Sequence, residues 1–304
     1  MKGNLLTIII ILCSVAVQAQ NDPLSFQQAQ LRSLVNPAAT GKGGDINAAL
    51  NIRQQWIGFQ GISTKSLMVQ GFANTYQSGL GLRLVVDEFG PSQTKNIKFN
   101  YAFFVPFEEF AFLSLGLGAG VMSNVYNVGH FFWAIDGDPR ELTENLKRTI
   151  PDFDFGMELN TRNFELGGAI SHVYYGENDQ QLFRIMRNYY AYTRIKVLLN
   201  KHWDFIPGIT WHYNRGPSSF EVNAGVRFEN NLTVNVLYRN PMSLGMIVGL
   251  TLIEGFRLAY SYDYGIDNLS AYNSGSHEIT ISYNIPMNTS YIGRKLQFFK
   301  WKMF

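Results

Sequence analysis

The histidines are the residues in this sequence most able to do chemistry, and their spacing argues against a metal or catalytic site. They are scattered over the chain as His130, His172, His202, His212 and His277. No pair has the H-x-x-x-H or HExxH spacing that brings two imidazoles to one helix face. A hydrolase would place a histidine beside a serine and an acid, but there is no G-x-S-x-G motif. We predict no catalytic, cofactor-binding or metal-binding residues, and hence no enzyme.

Two glycine-rich stretches imitate part of a phosphate-binding loop. They read GLGLR at 79–83 and GLGAGV at 116–121. Glycine recurs at every second position inside a predicted strand, whereas a phosphate loop joins a strand to a helix. Glycines that face the inside of a barrel instead relieve crowding or admit a plug.

Alternation of apolar and polar residues is the main structural signal. In the stretch SSFEVNAGVRFENNLTVNVLYRNP, two alternating runs are separated by a tight turn, as in a β-hairpin. Fourteen such segments follow one another: 46–55, 64–74, 78–87, 94–105, 111–123, 151–161, 163–173, 188–200, 203–214, 218–228, 231–239, 243–253, 256–264 and 276–285. Most have about ten residues, the length that crosses a bilayer at a tilt.

The two faces of these strands differ throughout. One parity is apolar, as in Leu80, Leu82 and Leu84, while the other is polar, small or charged with both signs. Met68 and Phe72 break the pattern on the polar side, and Pro207 predicts a bulge. A barrel of fourteen strands is intermediate in width between small barrels filled by side chains and open porins. The polar interior is therefore either water-filled or closed by ion pairs and a plug.

The connections between successive strands alternate in length, a pattern that a soluble β-sandwich does not require. The even turns are short, whereas longer loops occupy 56–63, 88–93, 124–150, 174–187 and 265–275. Short turns at one end and long loops at the other are typical of outer-membrane barrels. The predicted fold is all-β: a transmembrane outer-membrane β-barrel of about 14 antiparallel strands.

Composition and the chain ends fit an outer membrane of a Gram-negative bacterium. Charged residues are only 16 % of the chain, and aromatic residues are 14 %. The net charge of +2 gives no strongly positive surface that would bind nucleic acid. Residues 1–19 have the features of a signal peptide and include Cys13, the sole cysteine. We expect 20–45 at the periplasmic mouth, with a short amphipathic helix from Leu24 to Val35. The basic, aromatic tail 286–304 is expected in the periplasm.

Several stretches resemble the PorP/SprF family of type IX secretion proteins. They are NDPLSFQQ with LVNPAATG at 21–41, NIRQQWIGFQG at 51–61, GLGLRLVVDEFGPSQTKNIKFNYAF at 79–103, LSLGLGAGV, and SHEITISYNI near the end. The resemblance implies a non-enzymatic barrel of the type IX secretion and gliding machinery. It would help secrete or anchor a large adhesin that carries a C-terminal sorting domain. In the periplasm it would contact a peptidoglycan-binding lipoprotein or a secretion ring component.

Candidate partner contacts are aromatic, proline, glycine and asparagine positions outside the strands. They are Asn36, Pro37, Trp56, Gly58, Phe59, Phe131, Phe132 and Trp133. Packing against the barrel is an equal alternative for the Trp56 loop and for the Phe131–Trp133 triplet. Two other functions stay open: an outer-membrane channel for small molecules and a soluble extracellular sandwich.

Overall fold

The chain forms a closed antiparallel β-barrel of 14 strands. The computed structural model describes residues 25–59, 61–73, 76–108, 111–127, 144–174, 186–214, 218–229, 231–240, 243–266 and 268–287. Each strand pairs with the next along the chain, and the first pairs with the last from Ile46↔Ile285 to Gln54↔His277. This closure leaves no free sheet edge between first and last strand and confirms the predicted fold class.

The strands agree closely with the predicted segments. They are β1 Ile46–Gln54, β2 Ile62–Ala73, β3 Ser78–Phe89, β4 Ser92–Glu108, β5 Ala111–Tyr126, β6 Leu146–Thr161, β7 Phe164–Ser171, β8 Asn188–Ile195, β9 Val197–Leu198, β10 Trp203–Tyr213, β11 Ser219–Phe228, β12 Leu232–Asn240, β13 Ser243–Ile253, β14 Phe256–Gly265 and β15 Ser276–Ile285. Both β8 and β9 pair with β10, so together they form one barrel strand interrupted at Lys196.

The barrel has two unlike rims. The short-turn rim carries the start of β1, the end of β15 and the connections 74–77, 109–110, 162–163, 199–202, 229–231 and 254–255. The long-loop rim carries 55–61, 90–91, 127–145, 172–187, 214–218, 241–242 and 266–275.

Two of the loops predicted to be long are shorter in the structure than predicted. The loop 88–93 is a tight turn at 90–91, where Gly90 has a φ of +56°. In the loop 124–150, β6 already begins at Leu146 and pairs with β5 as far as Tyr126. The strands that flank each loop therefore extend further than the apolar alternation, because backbone pairing continues beyond the last lipid-facing residues.

The apolar parity faces outward, as predicted. On β4 and β5 the exposed residues include Ile97, Phe99, Leu115, Leu117 and Val121, each alternating with lumen-facing neighbours. In water this belt would be unfavourable, whereas in a bilayer it meets hydrocarbon. Among the described residues, no helix is both long and apolar enough to cross a membrane.

Pro207 does not produce the predicted bulge. On one side β10 pairs with β11 from Trp203 to His212 without a shift in register. On the other side the ladder is missing only between the Phe205↔Val197 and Gly208↔Arg194 pairs, and the register is the same before and after the gap. Pro207 has no backbone N–H, so the ladder lacks one hydrogen bond here, but no extra residue is inserted into the strand.

The N-terminal segment fills the barrel. Residues 25–44, named the plug below, form three 3-10 helices, Phe26–Ala29, Arg32–Leu34 and Pro37–Ala39, and almost all of their side chains are buried. The single amphipathic helix expected at the mouth is therefore wrong in form, and the segment lies inside the lumen. Short 3-10 turns suit it, because the sequence caps two of the three starts locally: the Ser25 side chain accepts from Gln27 N, and the Asn36 side chain accepts from Ala38 N.

Candidate functional site

The plug runs through the lumen from the long-loop side to the short-turn rim. The amide of Phe26 donates to Glu278 Oε2 at 3.0 Å, and Glu278 pairs with Arg53 near the long-loop end of β1. At the other end, Gly41 donates to Gln70 Oε1 at 3.2 Å, close to the short turn 74–77. The segment therefore occupies the interior over much of the height of the barrel.

Glycines in the wall make room for the plug backbone. An added Cβ would overlap Ala38 N at Gly116, Thr40 O at Gly79 and the Asn36 side chain at Gly156. Within the plug, Gly41 has a φ of +72°, and its Cβ would lie 2.6 Å from Gly71 O. The period-two glycines of the sequence thus admit a plug, one of the two roles predicted for them.

Plug cations pair with carboxylates of the wall. Lys42 Nζ lies 2.7 Å from Glu158 Oε1 and 3.0 Å from Glu165 Oε2. Arg32 Nε lies 3.6 Å from Glu165, and its guanidinium stacks 3.8 Å from the centre of the Tyr192 ring. All of these side chains are buried, so neither carboxylate has water to replace a lost cation. The pairs tie the plug to β6, β7 and β8.

Wall side chains also hold the plug by its backbone. Arg194 donates to Ala29 O at 3.0 Å, Arg239 to Ser25 O at 3.1 Å and Asn100 to Ser33 O at 3.1 Å, and Arg83 donates to Leu34 O. A 3-10 segment leaves carbonyl groups unsatisfied, and these donors supply partners for them. Part of the lumen charge predicted from alternation is thus used to position the plug.

Apolar plug residues fit into apolar pockets of the wall. Phe26 packs with Leu237 and Ile247, while Leu31 packs with Met68 and Ala49. Met68 looked misplaced on the polar parity because its partner, Leu31, is not on a neighbouring strand.

Phe72 has a related explanation. It forms edge-to-face contacts with Phe104 on the lumen side, and Phe104 makes the same contact with Phe112. This buried aromatic cluster lies near the short-turn ends of β2, β4 and β5.

A second charged cluster has the shape of a metal site but already contains protein cations. Ligand atoms of Asp152, Asp154 and His172 lie within 4.8 Å of one another. Lys98 Nζ lies 2.7 Å from Asp152 and 2.5 Å from Asp154, and Arg83 Nη2 lies 2.9 Å from Asp154. Lysine and arginine supply the positive charge that a metal ion would bring, so the cluster is an internal ion-pair network between β3, β4, β6 and the start of 172–187.

The candidate partner residues fall into three places. Asn36 and Pro37 are buried in the lumen, where Asn36 Nδ2 donates to Met157 O at 3.1 Å and Tyr192 Oη at 2.8 Å. Trp56, Gly58 and Phe59 lie on the long-loop rim. Phe131, Phe132 and Trp133 lie outside the described residues.

The loop that contains Trp56 is fixed to a neighbouring loop. Ile57 N donates to Gly275 O and Ser274 N donates to Ile57 O, both at 2.8 Å. Trp56 has a φ of +49°, Gly58 of +114°, and Phe59 is 40 % exposed. These bonds hold a partly exposed apolar loop against 266–275. Sequence reasoning missed the plug contacts because their partners lie far apart in the chain, although the lumen glycines gave a signal for them.

Comparison with known families decides the identity of this filled barrel. Residues 17–283 match the family model described as type IX secretion system membrane protein PorP/SprF. The chain belongs to the PorP/SprF family. As a barrel with a lipid-facing belt, this PorP/SprF protein resides in the outer membrane. The comparison with curated proteins gave no match.

Solved structures share the barrel fold with this PorP/SprF protein. The TodX deltaS2S3 mutant monoaromatic hydrocarbon channel has a TM-score of 0.54 and 8 % identity, over 91 % of this chain and 98 % of the channel. The CymD monoaromatic hydrocarbon channel has a TM-score of 0.54 and 11 % identity, over 90 % of this chain and 95 % of the channel. At such low identity the likeness concerns the fold alone.

Proposed function

We propose that this PorP/SprF protein is a non-enzymatic adaptor of the type IX secretion machinery that anchors or helps to secrete a surface adhesin. Binding of partners takes place at its two rims rather than through its lumen. The observation that carries this proposal is the plug, because an interior filled by buried ion pairs and packed backbone offers no wide path for a solute. Many charged side chains of the lumen are engaged with the plug or with one another, as Glu158, Arg83 and Arg239 are.

In this proposal the short-turn rim faces the periplasm and the long-loop rim faces the outside. Outer-membrane barrels have short periplasmic turns and longer external loops. The exposed loop that contains Trp56, Gly58 and Phe59, together with 266–275, contacts the C-terminal sorting domain of the adhesin. The short-turn rim meets a peptidoglycan-binding lipoprotein or a secretion ring component. A partner would reach Asn36 and Pro37 only if the plug left the lumen.

The competing function is a channel for small molecules. The two similar structures are named as hydrocarbon channels, but they share only the fold with this chain. Planar bilayer recording separates the two functions. We expect the purified barrel to give no steady large conductance. A stable, large conductance of the unmodified protein would favour the channel.

Deletion of the gene tests the role in secretion. We expect one adhesin to disappear from the cell surface while other type IX substrates still arrive there. Loss of every type IX substrate would assign the barrel to the core machinery instead. An unchanged set of surface proteins would refute both the anchoring and the core-secretion role.

The rim assignment has its own test. Phe59→Ser and Ile57→Ser, both on the exposed loop, should weaken recovery of the adhesin with the detergent-solubilised barrel. The matched change Leu198→Ser lies on the lipid-facing side near the short-turn rim and should leave recovery unchanged. Equal recovery with all variants would remove the Trp56 loop from the proposed contact.

A further inference from the structure

Two lysines face outward directly above the lipid-facing belt on one part of the wall. The pairing of β2 to β6 places them in a single row across the strands, which comprises Lys65, Val86, Lys95, Ser123 and Thr149. The next outward row toward the short turns is apolar and comprises Leu67, Leu84, Ile97, Val121 and Pro151. Rows of the same face are about 7 Å apart along a strand. The two ammonium groups therefore lie at the edge of the apolar belt.

A third lysine adds to this surface. Lys147 lies one outward row further toward the long loops, opposite Val125. All three lysines are exposed, and Thr149 Oγ1 donates to Ser123 Oγ at 3.1 Å between them. Lys65, Lys95, Lys147, Ser123 and Thr149 are named the lysine patch below.

The patch has more positive than negative charge. Its one acidic neighbour in these two rows is Glu88, which accepts from Ser63 Oγ at 3.0 Å and from Gln93 Nε2 at 2.9 Å, with Lys65 Nζ 3.9 Å away. Asp87 is on the opposite face of β3, where it accepts from Thr64. Glu144 precedes β6 and lies outside the two rows. Three lysines thus share one carboxylate.

The other half of the wall is different near the same rim. In the described part of β10 to β15, the outward positions toward the long loops carry no lysine or arginine. They carry rings instead, such as Trp211, Tyr213, Tyr238, Tyr260 and His277. Aromatic rings suit any membrane interface, whereas a cluster of lysines favours an anionic headgroup.

We propose that the lysine patch binds the phosphorylated headgroup of a lipid in the outer leaflet, of the lipid A type found in lipopolysaccharide. The lysines contact its phosphates, the hydroxyls of Ser123 and Thr149 contact its sugar, and the acyl chains lie against Leu67, Ile97 and Val121. The charge of the patch and its continuity with the apolar belt both fit this lipid. The assignment uses the orientation given above, with the long-loop rim outside, but not the role in secretion. A barrel that failed to bind lipid A could still bring an adhesin to the surface.

Lipid A itself is the probe. Native mass spectrometry of the detergent-solubilised barrel should show bound lipid A, and dephosphorylated lipid A should bind at least about tenfold more weakly. Inorganic phosphate at the same concentration should not displace the lipid, because it has no acyl chains to lie against the belt. Absence of bound lipid A, equal binding of the two lipids, or displacement by inorganic phosphate would overturn the proposal.

Charge-matched variants locate the contact. Lys65→Gln combined with Lys95→Gln should weaken lipid A binding about 25-fold, because each lysine near an anionic lipid contributes roughly a factor of five. Arg162→Gln combined with Lys201→Gln removes the same charge from the exposed short-turn rim and should leave binding unchanged. Lys65→Arg combined with Lys95→Arg keeps the charge and should retain binding. Equal binding by the two glutamine pairs would refute the patch as the site.

Discussion

Single glycines and single charges decide whether the lumen is filled. Gly116 and Gly156 are recognisable in the sequence as members of an alternating polar face, but their contacts with Ala38 and Asn36 are not. Alternation reports which face a residue is on. It does not report which distant segment lies above that face, so the identity of the plug could not be predicted from it. The pairing of Lys42 with Glu158 and Glu165 was hidden for the same reason.

Gly116→Leu should expel the plug while leaving the barrel intact. An added Cβ at this position would lie 2.1 Å from Ala38 N and 2.4 Å from the carbonyl carbon of Pro37, so the plug backbone would have to shift away from the wall. Limited trypsin digestion followed by mass spectrometry should then show cleavage after Arg32 and Lys42, which are buried in the unmodified protein. Gly168→Leu is the control, since an added Cβ there meets only Tyr190 O at an ordinary 3.4 Å. Resistance of both variants to trypsin would contradict the role of Gly116.

Lys42→Met should be strongly destabilising. It leaves Glu158 and Glu165 buried without this shared cation, and breaking a buried pair from one side costs about 3–5 kcal/mol. Urea unfolding from liposomes, followed by tryptophan fluorescence, measures the change. Lys65→Met removes an exposed pair at 3.9 Å from Glu88 and should cost about 0–1 kcal/mol. Similar losses for the two variants would show that the Lys42 pairs contribute little.

At the level of elements, strands were predictable and the plug was not. Period-two alternation is a local property, so all fourteen segments could be found one at a time. Errors arose at strand ends where backbone pairing continues past the apolar belt, as at β6, and at Pro207, where the predicted bulge is absent. The 3-10 turns of 26–39 have no such period. Their conformation depends on caps and on contacts with strands far along the chain, such as Phe26 with Glu278.

Removal of the plug should convert a closed barrel into a pore. Deleting 25–44 leaves β1 to β15 and their pairing intact but empties the centre of the barrel. A 14-stranded barrel is intermediate in width between small barrels filled by side chains and open porins. Planar bilayer recordings should show large, steady openings for the deletion variant and none for the full chain. A silent deletion variant that still resists heat as a folded barrel would show that wall side chains alone close the lumen.

For the molecule as a whole, the outer surface determines where the protein resides. The lipid-facing and lumen-facing sides of the strands could be recognised in the sequence, because lipid selects apolar residues at outward positions along the belt. Rim contacts with other proteins impose no comparable period. Consequently the membrane location was predictable. The partner residues remain predictions: Asn36, Pro37, Trp56, Gly58, Phe59, Phe131, Phe132 and Trp133.

Arginine substitutions on the outer surface should have depth-dependent costs. Leu117 is central among the outward residues of β5, so Leu117→Arg should lower the unfolding free energy in liposomes by about 2–4 kcal/mol. Ile253→Arg lies at the strand end beside the turn 254–255 and should cost about 0–1 kcal/mol. Equal costs at both depths would indicate that this surface does not face hydrocarbon.

The pairing of β1 with β15 has a consequence for biogenesis. The ring cannot shut until the last-made strand reaches the first, some 230 residues later in the chain. Residues 25–44 directly precede β1, so they are made before every strand that contacts them. We expect them to be seated on the growing sheet while the seam is still open, so that the lumen is filled before β15 closes the ring.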